Sequence, residues 1–332
     1  ATPTDAALAM ADGSGAVNAT DANFQDVPSQ IERDAPSYSD YRERHITVPA
    51  LRAGQVLEYQ VVTTTFKPLI PDQIWFEYAF RKDTISLDEQ LIVDVPKAKK
   101  FNIKYKPEFK PEIKDAGDRR VYTWKANYTK RETEDELKKK RRREAREDWF
   151  PDIALTTFSS WEQIGAWYGG LQKAQMELTP ELKAKVAELI KDKSNDVEKV
   201  RAIYDFVAQD YRYVSLSFGV GRFQPHKAAE VFGNKYGDCK DKHTLLSTML
   251  KEAGYKVEPV LIGSQRVLDP DVPSPAQFDH VFSAVMPKNA DAKTMPLYYL
   301  DTTAEIAPFG LISYNLRDKK ALLVRLDSPS RL

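Results

Sequence analysis

A charged run from Lys130 to Asp148 separates two stretches whose hydrophobic patterns belong to different kinds of structure. Ahead of it, between Tyr38 and Tyr128, short β-rich runs alternate with chain breakers. Val56–Val62, Ile74–Phe80, Leu91–Val95 and Val121–Trp124 read as strands, punctuated by Pro49, Gly54, Pro68, Pro71, Pro96, Pro107, Pro111 and Gly117. That alternation predicts an antiparallel, sandwich-like domain over residues 37–129. Behind the run, after Trp149-Phe150-Pro151, the pattern turns helical. A chain of 332 residues that changes period in this way has room for two domains with separate cores, and the class it predicts is α+β.

The charged run has acids first (Glu132, Glu134, Asp135, Glu136) and bases after (Lys138 to Arg143), an order that suits a solvated helix. We read residues 130–158 as a charged connector. Its charges nearly cancel and no aromatics interleave with the bases, which argues against a nucleic-acid surface. The chain as a whole has 49 basic and 49 acidic residues, so nothing in its balance calls for nucleic acid or an anionic membrane. No apolar run approaches the ~20 residues that span a bilayer. Residues 1–36, rich in Ala, Asp, Asn, Gly, Thr and Ser, read as a flexible arm, and residues 306–332 as the start of a further β segment.

Within the helical stretch, Trp161–Leu171 predicts a short aromatic-rich helix. Thr179-Pro180 predicts an N-cap with Pro at the first helical position, opening a helix to about Lys191. Asn195 with Glu198 three residues on predicts a capped third helix, with Val197, Val200, Ile203, Tyr204 and Val207 as its apolar stripe. Tyr211–Leu216 reads as a short strand and residues 217–235 as an irregular loop. A helix from Cys239 to about Ala253 follows, ended by Gly254, then strands at Val257–Ile262, His280–Val285 and Leu297–Leu300.

The chain has one cysteine, so it holds no internal disulfide, and that thiol sits where a helix begins, in Tyr236-Gly237-Asp238-Cys239-Lys240-Asp241-Lys242. A helix N-terminus favours negative charge and therefore a thiolate. The flanking charges argue against deep burial of the cysteine. Downstream, His280 opens one predicted strand and Asp301 ends another. If the two strands pair with Val285 opposite Pro296, His280 lies opposite Asp301, with Cβ atoms roughly 4.5–5.5 Å apart. An acid there fixes the tautomer and orientation of the imidazole, and the imidazole activates the thiol. The Cys239 backbone N–H and one further donor, Gln224 or Tyr236, are the candidates for holding an oxyanion. His243, one turn after Cys239, is a rival base, while Asp238 and Asp241 read as helix-start acids. A zinc site from Cys239, His226, His243 and His280 has spacings that match no compact ligand pattern, and no cofactor is expected.

Arg212-Tyr213-Val214-Ser215, Gly221-Arg222-Phe223-Gln224-Pro225-His226, Ala228-Ala229-Glu230-Val231 and Gly237-Asp238-Cys239-Lys240-Asp241 together resemble the bacterial transglutaminase-like superfamily. The resemblance continues through Leu245-Leu246, Ala253-Gly254, Asp279-His280 and Leu300-Asp301-Thr302-Thr303, and covers about residues 159–305. The region Tyr38–Trp124 is similar to the β-rich domain of unknown function that precedes such cores. His243 departs from the small residue often found there, and the charged run looks like a local elaboration. The resemblance implies a papain-like core with the cysteine helix packed on an antiparallel sheet and with Cys239, His280 and Asp301 as a triad. It further implies a thiol acyltransferase, peptidase or amidase acting on peptide or protein amides, in the periplasm or outside the cell. A silent member of the fold, binding a cell-envelope partner, is the alternative.

Overall fold

Strands form where the sequence predicts an arm. The computed structural model describes residues 6–11, 16–18, 23–28, 42–48, 51–66, 68–144, 151–214, 222–287, 294–304 and 308–332. Within it, β1 (Ala6–Ala11), β2 (Ala16–Asn18) and β3 (Phe24–Pro28) all lie before residue 36. β1 runs antiparallel along the whole of β5 (Val56–Val61), Ala6 opposite Val61 and Ala11 opposite Val56, with β2 on its other side. β3 pairs with β4 (Arg42–Ile46). The ladder is made by backbone groups, so an alanine-rich segment with no apolar alternation can join it without a side-chain pattern to announce it. Trp149 and Phe150, the end of the charged run, residues 215–221 and residues 288–293 lie outside the described residues.

The chain packs as two units, Ala1–Asp72 with Leu216–Arg222, and Gln73–Ser215 with Phe223–Leu332. Their division at Asp72 falls inside the 37–129 span that the sequence assigns to one β-rich domain. In the second unit, β7 (Ser86–Pro96), β10 (Arg119–Tyr128) and β9 (Glu112–Ala116) form one antiparallel sheet. β6 (Trp75–Tyr78) and β8 (Asn102–Tyr105) flank a strand from beyond the charged helix, β11 (Ile153–Thr156). All four residues of β11 are buried, and Ile153 faces Tyr78 on one side and Tyr105 on the other. Residues 153–156 are thus the centre of a sheet and not part of a connector, as their apolar run dictates once water is excluded from both faces. Ile153 closes a small core with Phe80, Phe109 and Trp124.

Among the described residues the α-helices are α1 (Glu134–Glu144), α2 (Trp161–Lys173), α3 (Pro180–Ile190), α4 (Asp196–Gln209), α5 (Ala228–Asn234) and α6 (Cys239–Glu252). The predicted caps form. Thr179 accepts from Leu182 N–H and Asn195 from Glu198 N–H, while Glu198 reaches back to Ser194 N–H rather than to the cap itself. Val197 is exposed, so the core stripe of α4 starts at Val200. α5 lies within the stretch read as an irregular loop. It has no side-chain N-cap and ends on Lys235 in the left-handed region (φ 60°), so neither end has the usual residue signals.

β12 (Arg212–Tyr213) pairs in parallel with β13 (Tyr236–Gly237). The sheet β16 (Tyr298–Leu300), β15 (His280–Met286), β14 (Lys256–Ile262) and β17 (Leu322–Leu323) is antiparallel throughout, in that order. Val257, Val285 and Leu300 pack with Leu245, Leu246, Met249 and Leu250 of α6 and with Val200, Ile203, Tyr204 and Val207 of α4. Val260, Ile262, Phe282, Leu316 and Leu323 cluster separately. β17 therefore completes this sheet along the free edge of β14, where the sequence suggests the opening of a further β region.

Candidate active site

The first turn of α6 is fixed by its own side chains. Asp238 is the N-cap and accepts the N–H groups of Lys240 (3.1 Å) and Asp241 (3.2 Å), while Asp241 accepts Asp238 N–H at 3.4 Å, a reciprocal capping box. Gly237 is required by this closure, because a Cβ there would lie 2.7 Å from the Asp241 Cβ. The charged residues around Cys239 are buried, and each has a partner. Lys240 pairs with Asp238. The Lys242 ammonium donates to the carbonyls of Ala208 (3.1 Å) and Tyr211 (2.6 Å). Asp241 accepts His226 N–H at 2.8 Å and lies 3.0 Å from its Nδ1. Burial opposes the Asp241 charge, but the His226 hydrogen bond and the Lys240 ammonium outweigh it and hold the carboxyl below its usual range. Cys239, the first residue of the helix, stays half-buried.

His280 stands at the start of β15, and its Nε2 lies 2.9 Å from Asp301 Oδ2. Asp301 follows β16, where its Oδ1 accepts Thr303 N–H (3.0 Å) and the Thr303 hydroxyl (2.7 Å) and its carbonyl accepts the Tyr204 hydroxyl (3.1 Å). The strand register differs from the one read in the sequence. Ser283 faces Leu300 and Val285 faces Tyr298, a two-residue displacement. A shift of two keeps side chains on the same face, and a diagonal neighbour is still within reach of a long side chain, so the contact survives. Cys239 is the second hydrogen-bond partner of the His280 ring. Burial disfavours the imidazolium, but the bonds to Asp301 and Cys239 and their charges outweigh it and push His280 up to about 10. Cys239, His280 and Asp301 are brought together.

Residues 183–265 match the family model of the transglutaminase-like superfamily, and residues 9–132 that of a domain of unknown function, DUF3857. The chain carries a DUF3857 domain and a transglutaminase-like domain. No curated protein matches it. The chain resembles a "putative protease" from Parabacteroides distasonis, at 16% identity and a TM-score of 0.68, over 98% of this chain and 60% of that one. It therefore spans three fifths of that protein's length. A "putative cysteine protease" from Cytophaga hutchinsonii aligns at 12% identity and a TM-score of 0.30, over 70% of this chain and 74% of that one.

Other residues singled out in the sequence make contacts of their own. The Gln224 amide donates to Pro225 O at 3.3 Å, and Tyr236 lies in β13 with the Arg212 guanidinium 5.9 Å from its ring centroid. His243 is fully buried, with Nδ1 2.7 Å from Ser283 Oγ, and burial pushes it down to about 3, so it is a neutral link between α6 and β15. His226, His243 and His280 thus engage Asp241, Ser283 and Asp301 separately, and no group of three or more His, Cys, Asp or Glu among the described residues is arranged to hold a metal ion. No helix among the described residues is long and apolar enough to cross a membrane. Sequence reasoning missed Tyr168 of α2. It is buried, its hydroxyl has no partner among the described residues, and nothing in an aromatic-rich helix marks one ring from the next.

Proposed function

We propose that this chain is a thiol enzyme acting on peptide or protein amides through Cys239, His280 and Asp301. The observation that carries the reading is a single imidazole in contact with both a carboxylate, at 2.9 Å, and the lone thiol of the chain. Cys239 attacks the amide carbonyl as a thiolate, with the proton on His280. Collapse of the intermediate breaks the C–N bond, the amine leaves with the proton from His280, and an acyl-thioester remains. Asp301, fixed by Thr303, keeps the ring in one tautomer with Nε2 bound and Nδ1 toward the sulfur. Water or an amine then resolves the thioester. We favour water, giving hydrolysis or deamidation, and the protease description of the Parabacteroides structure leans the same way. The family resemblance supports a site of action in the periplasm or outside the cell.

The test is mass spectrometry of glutamine-containing peptides incubated with the full chain, with and without a primary amine. Cleavage or ammonia loss that disappears in Cys239→Ala is expected. Amine incorporation would move the reading to cross-linking. No change in any peptide pool, with wild type and Cys239→Ala alike, would sink it in favour of a binding role.

A further inference from the structure

The oxyanion formed by such an attack needs donors. α2 presents one buried face, Ile164, Tyr168 and Gln172, to its neighbours. Gln172 Nε2 donates to Thr244 Oγ1 of α6 at 2.8 Å, and just beyond, the Ser247 hydroxyl lies 3.9 Å from Met176 sulfur. The two contacts advance together along both chains. One helical turn back, about 5.4 Å along each axis, Gln172 is replaced by Tyr168 and Thr244 by Lys240, the residue after Cys239. The charges that act on the Tyr168 hydroxyl come from that turn, Cys239 before Asp238 and Asp241. The hydroxyl is buried and has no partner among the described residues, an unusual state for a tyrosine. On α6, the Asp238 cap takes the N–H groups of Lys240 and Asp241 and leaves that of Cys239 for other use.

We propose that Tyr168 is a further catalytic residue, whose hydroxyl and the Cys239 backbone N–H are the two donors to the oxyanion. As the Cys239 sulfur bonds to the carbonyl carbon, the π pair moves onto the carbonyl oxygen. Tyr168 O–H donates a hydrogen bond to that oxygen and keeps its proton. When the pair returns to re-form the carbonyl, the leaving group departs and the bond to Tyr168 weakens. Burial, reinforced by the nearby negative charges, raises the tyrosine well above its usual range, so it is a donor at any working pH. A donor already oriented in a water-excluded pocket stabilises charge that exists only in the transition state.

The inference rests on the proposed thiol chemistry, and two reagents applied to the full chain separate them. p-Nitrophenyl acetate acylates a thiol through an oxyanion, whereas iodoacetamide alkylates it by displacement without one. In Tyr168→Phe, acylation of Cys239 is expected to fall about 10²–10³-fold, with alkylation within about twofold of wild type. The melting temperature should not drop, because deleting an unpaired buried hydroxyl removes a desolvation cost. Acylation within about twofold of wild type, or acylation and alkylation falling together, would overturn the role of Tyr168 while leaving the thiol reading intact. If wild type and Cys239→Ala release p-nitrophenolate at the same rate, the thiol reading itself fails and takes this inference with it.

Discussion

His280 keeps a positive charge in a place where burial alone would remove it. Its pair with Asp301 is half of that balance, and Thr303 holds the carboxylate in position through two hydrogen bonds. Asp301→Asn leaves the shape of the site but loses the charge and the tautomer control. We expect turnover of a cleavable amide or ester to fall by about 10²–10⁴-fold, measured as kcat/KM at constant pH. The same charge has a pH signature. The folded value of about 10 lies above the ordinary histidine value of 6.5, so the folded state binds the proton more tightly. The stabilisation is full below pH 6.5 and is lost as pH rises toward 10. The difference in melting temperature between wild type and His280→Gln should therefore be largest near pH 6 and shrink steadily above it. A difference that grows with pH would contradict the sign. At this scale the sequence was informative about identity and silent about environment. Cys239, His280 and Asp301 were legible from their types and their places at element ends. The burial of Asp238, Lys240, Asp241 and Lys242 was not, because it depends on carbonyls of Ala208 and Tyr211 and on His226, all distant in the chain.

Among the elements, α6 is the one whose start matters most. Its capping box closes over Gly237, and a methyl group there would press on the Asp241 side chain at 2.7 Å. Gly237→Ala should cost roughly 1–3 kcal/mol, as overpacking does in a tight interior. It should also slow iodoacetamide labelling of Cys239 by displacing the turn that carries it. Equilibrium denaturation and labelling kinetics check the two effects, and an unchanged midpoint would mean that the turn relaxes freely. Helix starts were readable because capping is local, decided by residues three apart, as at Thr179 and Asn195. The pairing of β15 with β16 was readable as to face and two residues out in register, since alternation fixes the face but the intervening loop decides the slide. α5 and β1 escaped notice because one has no capping side chain and the other no apolar alternation.

Across the second unit, the β-rich part and the transglutaminase-like core are joined by charge as well as by apolar contact. Arg266 donates to both Glu77 oxygens, at 2.6 and 2.7 Å, in a largely buried bidentate pair, and Lys104 reaches Asp269 at 2.6 Å. The Trp161 indole donates to Pro270 O at 2.9 Å. Arg266→Ala strands the Glu77 carboxylate and should cost roughly 2–3 kcal/mol. A Glu77→Met/Arg266→Met double variant removes both charges and should lose less than the single variant. Urea denaturation of the pair decides it, and a double variant that is worse than the single would mean the ion pair is strongly stabilising in itself. None of these long-range partnerships leaves a mark in the sequence, where Glu77 and Arg266 look like two ordinary charges.

The strand β11 has a further consequence. The exposed, lysine-rich helix α1 is an obvious place for trypsin to cut, at Lys138, Lys139 or Lys140. A nick there severs the covalent link, yet β11 on the downstream piece stays clamped between β6 and β8 on the upstream one. The two fragments should co-elute in gel filtration, separate only in denaturant, and retain reactivity at Cys239, behaving as a split protein whose halves complement each other. Dissociation on nicking would show that the sheet cannot hold the pieces without the tether.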